Sequence, residues 1–165
     1  MNGKIISVFP CSGKTHTVTK YYFELDCVDH DFYDWKYRSV HQEKIWLKHY
    51  LSRMHQLQRK FKFVFVNALP EIVNELPKDS IVIYPTKSLK SEWVERAKSR
   101  GGISEFPLLL EEKWNKWIDT CMNWYGKKYV LESGQYLTDI IKQLYGVKVN
   151  LNSMPGERAS KFGYA

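Results

Sequence analysis

Residues 11–15 of the chain read Cys-Ser-Gly-Lys-Thr and follow an apolar run, Ile5, Ile6 and Val8, that ends at Phe9-Pro10. Small residues, then a lysine, then a hydroxyl, at the mouth of a chain able to turn helical, are the types an anion requires. Backbone N–H groups of a tight turn and of a first helical turn converge on a phosphate, and the helix dipole adds positive charge. A lysine at that point reaches terminal phosphates, and a Ser or Thr beside it can hold Mg²⁺. The candidate phosphate-binding residues are therefore Cys11, Ser12, Gly13, Lys14, Thr15 and His16, with Thr15 on the metal side. The stretch departs from G-x-x-x-x-G-K-[ST] because Val8 stands at the leading glycine position. An ordinary strand-to-helix turn can carry the same residues, so the rest of the chain must supply the other half of a site.

Two further groups have the right chemistry. Asp26, Asp29 and Asp31 cluster after an aromatic, apolar stretch, and Arg38 follows in an aromatic and basic connector. Carboxylates past the end of a strand can orient a substrate hydroxyl, take its proton, or hold Mg²⁺ through water. Turn-forming and helix-capping aspartates are the plain alternative. Arg96 and Arg100 lie four apart, hence on one helix face, where they either meet solvent or neutralise an anion.

Strands alternating with helices have to place these groups. Strands are expected at about residues 4–8, 21–28, 62–66, 81–84 and 128–131, and helices at about 15–20, 41–60, 69–76, 87–100, 110–125 and 136–144. The apolar runs and the three- and four-residue spacings support these assignments. On the long helix Ile45, Trp46, His49, Tyr50, Met54 and Leu57 form the core-facing stripe. The alternation predicts an α/β fold with a mainly parallel five-stranded sheet, in which ligands sit outside the carboxyl ends of the strands. That rule puts the loop and the aspartates on one rim. Asn67, just past the third strand, stands where many nucleotide-binding folds carry an acid.

Composition narrows the classes. The 165 residues suffice for one well-filled domain, and 44% hydrophobic with 26% charged residues is the balance of a soluble globular protein. No apolar run nears the ~20 residues of a membrane span, and no secretory leader pattern opens the chain, so a cytoplasmic setting is expected. The three cysteines are far apart and the five histidines scattered, which suggests neither a disulfide framework nor a zinc site. A net charge of +7 fits an anionic partner, nucleotide or nucleic acid, and leaves DNA contact open.

The order of parts resembles the P-loop kinases of the nucleoside-monophosphate-kinase type, especially the small (deoxy)nucleotide kinases encoded by phages. The resemblance rests on VFPCSGKT, on LDCVDHDFYDW, on IVIYPTKSLKSEWVERAKSRG, and on the ERAKSRG ending, similar to a lid segment of guanylate-kinase-like enzymes; it covers about residues 4–144. It implies one three-layer P-loop NTPase domain over residues 1–165, with a short helical lid at about 85–112. It implies ATP and Mg²⁺, with residues 11–16 on the donor phosphates and Thr15 on the metal. Lys14, Arg96, Arg100 and Asp29 would be catalytic, and Asp29, Asp31 and Arg38 would face the acceptor. The loop Glu132-Ser133-Gly134 would lie near the donor base. The implied activity is phosphoryl transfer to a nucleotide, a deoxynucleoside monophosphate first, in the host cytoplasm if the chain is phage-encoded. Two alternatives stay open: a kinase acting on a hydroxyl of DNA or of a modified base, and a nucleotide-binding module without catalysis.

Overall fold

The computed structural model describes residues 2–30, 40–101 and 105–146, with the backbone alone for 40–44. Five strands, β1 (Lys4–Val8), β2 (Cys27–His30), β3 (Phe63–Asn67), β4 (Ile81–Pro85) and β5 (Lys127–Leu131), form one sheet in the order β2-β3-β1-β4-β5. All four pairings are parallel, not merely most of them. The helices are α1 (Lys14–Leu25), α2 (Val40–Gln58), α3 (Pro70–Val73), α4 (Lys90–Arg100), α5 (Phe106–Met122) and α6 (Leu137–Tyr145). The inner strands KIISV, FVFVN and IVIYP are buried almost throughout, as continuous apolar runs should be when helices cover both faces.

Strand order and handedness fix the layers. From β1 the chain steps outward to edge strand β2, then returns through β3 and passes β1 to reach β4 and β5. Right-handed crossovers therefore put α1 on one face and α2, α3 and α5 on the other. The packing agrees, since α1 meets α6 while α3 meets both α2 and α5. The chain thus turns opposite ways after the adjacent strands β1 and β3. A crevice opens at such a switch point, outside the carboxyl ends. No helix among the described residues is long and apolar enough to cross a membrane.

The structure corrects the expected strand at 21–28: the helix expected at 15–20 kinks at Tyr21 (φ −115°, ψ 17°) and then continues to Leu25, and β2 begins only at Cys27. Val18, Tyr21 and Leu25 recur at helical spacing and are buried, so packing overrides the β preference of an aromatic-rich run. Asp26 then ends the helix at φ 50° and its carbonyl accepts from the Lys62 and Phe63 N–H groups. It is a cap at the opposite end of the sheet from the crevice. The stripe on α2 is also narrower than expected. Tyr50, Met54 and Leu57 are buried, whereas Ile45 and His49 are exposed.

Candidate functional site

The loop between β1 and α1 is held from behind. Each carbonyl from Pro10 to Gly13 accepts a bond from surrounding structure: Pro10 from Trp93 Nε1 at 3.1 Å, Cys11 from Arg96 at a long 3.5 Å, Ser12 from the Leu137 N–H at 2.7 Å. Gly13 accepts from both the N–H and the hydroxyl of Thr17, at 2.9 and 2.8 Å. Cys11 and Gly13 have φ of 63° and 87°, and Ser12 between them does not have a positive φ. A left-handed residue followed by a helical one, as Gly13 and Lys14 are, turns successive N–H groups toward one concavity, and the first helical turn of α1 adds its own. Such a nest suits an anion. Val8 lies outside it, since it is fully buried in β1 with its carbonyl bonded to the Ala68 N–H.

Gly13 has two reasons to be glycine. Its φ is positive, and an added Cβ would lie 3.2 Å from Cδ1 of Tyr136, whose ring closes over the loop. Cys11 satisfies the same backbone demand with a side chain, which is unfavourable for an L-residue and persists only where surrounding contacts impose it.

Lys14, 9% exposed along its side chain, pairs with Asp29, which is 2% exposed. The other oxygen of that carboxylate accepts from Thr15 Oγ1 at 2.9 Å. The lysine and the hydroxyl that open α1 thus converge on one acid of β2. Asp29 stands inside the strand, opposite Phe65 of β3, rather than past the strand's end as the sequence suggested. Its neighbour His30 points to the other face, stacked 4.0 Å from Tyr50, whose hydroxyl links the His30 carbonyl to the Asn67 N–H. Asn67 ends β3 beside Val8 and reaches the crevice wall.

The crevice has a volume of about 1040 Å³ and is lined by residues 9–16, Asn67, and the face of α4 carrying Glu92, Arg96 and Arg100. The structure therefore brings Cys11, Ser12, Gly13, Lys14, Thr15, His16, Arg96 and Arg100 to one place, with Asp29 behind Lys14. Asp26 is excluded from it. Asp31 and Arg38 lie outside the described residues.

The two arginines are not equivalent. Arg100 is exposed at the wall, its guanidinium 5.5 Å from the Phe106 ring. Arg96 is enclosed, its guanidinium 3.7 Å from the Trp93 ring and 4.0 Å from that of Tyr136, and it also donates to the Gln135 carbonyl at 2.8 Å. Glu92, one turn earlier, bonds Arg96 at 3.1 Å and accepts from Ser133 Oγ and the Gly134 N–H. Sequence reasoning missed Glu92, Trp93 and Tyr136. The first two carried a signal, because Glu92 and Arg96 are an i,i+4 pair and Trp93 shares the face of Arg96 and Arg100.

Glu92 gives this clasp a pH dependence. The Ser133 hydroxyl, aided by the Gly134 N–H and by Arg96, holds its carboxyl below the usual 4.5 despite partial desolvation. A lowered folded value means that the carboxylate stabilises the native state above about pH 4.5, and that this is lost as pH falls through the folded value. Thermal melts of wild type and Glu92→Gln should differ most near neutrality and converge in acid. Melting curves that keep their separation at pH 3 would contradict this.

Among the described residues no three His, Cys, Asp or Glu side chains gather as a metal site. No protein-family model matches the chain, and no curated protein matches it. Fold and site together define an all-parallel α/β protein with a concave loop, a lysine–carboxylate pair and an arginine-bearing helix at its topological switch point.

Proposed function

We propose that the chain is an ATP-dependent kinase with a P-loop NTPase fold, transferring a phosphoryl group to a nucleotide, a deoxynucleoside monophosphate above all. The observation that supports this most is the loop at residues 10–13, left-handed at Cys11 and Gly13, opening directly onto Lys14 and Thr15, both tied to Asp29. Donor phosphates would take the N–H groups of the nest and draw Lys14 from Asp29, since a polyphosphate offers more negative charge than one carboxylate. Thr15 and Asp29 supply hard oxygen atoms, the donor type that Mg²⁺ prefers, and Mg²⁺ is commonly held by one or two such groups together with substrate phosphates. When bound, that ion would neutralise charge on the transferred group.

Arg100 is the exposed cation at the crevice wall and would face the charge that develops on that group. The α4 segment, to about residue 112, is read as the lid. Phage-type kinship and a cytoplasmic setting belong to the same reading. The net charge of +7 favours one competitor, a hydroxyl of DNA or of a modified base as acceptor. Purified protein incubated with Mg²⁺-ATP and separate panels of dNMPs, NMPs, nucleosides and 5′-hydroxyl DNA tests both. ADP formation confined to dNMPs is expected. Transfer to DNA alone, weakening steeply with added salt, would replace this reading by its competitor, and ATP binding without transfer to any acceptor would leave a binding module.

A further inference from the structure

Resting on the kinase reading, we propose that Arg96 is a positioning residue that holds the phosphate loop in its anion-receiving shape, and that of the two arginines only Arg100 meets the transferred group. The side chain of Arg96 is 11% exposed. Both faces of its guanidinium are covered by the rings of Trp93 and Tyr136, so only its edge can donate. That edge already serves the carbonyls of Cys11 and Gln135 and the carboxylate of Glu92. Three of the five guanidinium N–H groups are engaged in this way, which ties the side chain to the loop and to Gln135.

What Arg96 holds is the strained part of the loop. Cys11 sits at φ 63° although it carries a Cβ, and nothing in its own chemistry favours that region. Three contacts impose the conformation: Trp93 on the Pro10 carbonyl, Arg96 on that of Cys11, and the Leu137 N–H on that of Ser12. Arg96 also backs the Tyr136 ring that lies against Gly13. It thus joins the Cys11 carbonyl to Trp93 and Tyr136, while the Leu137 N–H holds Ser12 separately. Without Arg96 the loop should relax toward negative φ at Cys11, and the nest would open.

Cys11 reports on this directly. It is the half-buried thiol, whereas Cys27 and Cys121 are buried, and burial pushes both of those up to about 12. Iodoacetamide labelling should therefore rise about ten-fold at Cys11 in Arg96→Gln and stay at the wild-type rate in Arg100→Gln, following the usual bias against left-handed backbone at an L-residue. In steady-state assays Arg96→Gln should raise KM for ATP about ten-fold and change kcat little. Cys11→Gly in that background should recover most of the loss, because glycine adopts positive φ without penalty. Labelling of all three cysteines would mark unfolding, and Arg96→Lys, which keeps the charge and loses the planar fork, then serves with the same expected result.

A wild-type labelling rate in the Arg96 variants overturns the proposal. So does a thousand-fold loss of kcat at saturating ATP that Cys11→Gly fails to recover, since an arginine on the transferred group acts at that scale. Should labelling respond as stated while even the wild type transfers no phosphoryl group, the positioning role stands and the kinase reading falls.

Discussion

Lys14→Ala should lower phosphoryl transfer by about a thousand-fold or more, the largest effect expected of any single substitution in this chain. Lys14 opens α1 beside the nest and lines the crevice, and its ammonium, held by Asp29, would turn to the donor phosphates. Donor phosphates would lose both a clamp and a neutralising charge. Steady-state assays with Mg²⁺-ATP and the best dNMP measure this, and a variant retaining a tenth of wild-type turnover would refute the role.

The same substitution should also cost stability, because Asp29 is almost wholly buried and gives up its ammonium partner. Removing one member of a buried ion pair typically costs about 3 kcal/mol, mostly as the penalty on the charge left behind. Thr15 still donates to that carboxylate and softens the loss. The double variant Lys14→Ala/Asp29→Asn separates the two effects. It should regain most of the stability, since the buried charge is gone, yet transfer no better than Lys14→Ala alone. Urea unfolding of the two single variants and the double gives the coupling energy between the pair. Full return of activity with stability would mean that Lys14 serves the fold alone.

Much of this site could be read from residue types, because its parts follow local rules. The runs KIISV, FVFVN and IVIYP are apolar on both faces, and a short glycine-containing turn after the first of them leads to Lys14. Local rules failed where distant packing decided. Residues 21–25 look strand-like, but Tyr21 is drawn fully into the core at a kink in α1, the helix runs on to Leu25, and Asp26 falls at the far end of the sheet. Asp29 was legible as a candidate, but its pairing with Lys14 depends on β2 lying beyond β3 at the sheet edge. Arg96 and Arg100 look alike in sequence. Their separation depends on Tyr136, forty positions away, closing the second face of one guanidinium and not the other. Val8 seemed to break the motif, yet it belongs to β1, and the left-handed geometry that a glycine would ease falls on Cys11 and Gly13.

Asp29→Asn should slow transfer to a dNMP by about ten- to a hundred-fold, the range seen when a group orienting a metal or its water is lost. KM for ATP should not rise, because Lys14 loses its competitor for the donor phosphates. The size of the loss bears on the acceptor. A nucleotide phosphate is already anionic near neutrality and needs no proton removed, so Asp29 would act there only by position. A hydroxyl on DNA or on a modified base must lose its proton as it attacks, and a carboxylate that takes it contributes about a hundred- to ten-thousand-fold. With a phosphate acceptor the loss in Asp29→Asn should stay within about ten- to a hundred-fold. With a hydroxyl acceptor the loss in Asp29→Asn should rise to about a thousand-fold, as loss of a general base adds to the loss of position. Comparing kcat/KM for both proteins, on dNMP and on 5′-hydroxyl DNA, therefore assigns the acceptor class from the size of the loss at this one residue. A loss of about a thousand-fold on DNA beside a loss of about ten-fold on dNMP would make Asp29 a general base and displace the dNMP as the proposed acceptor.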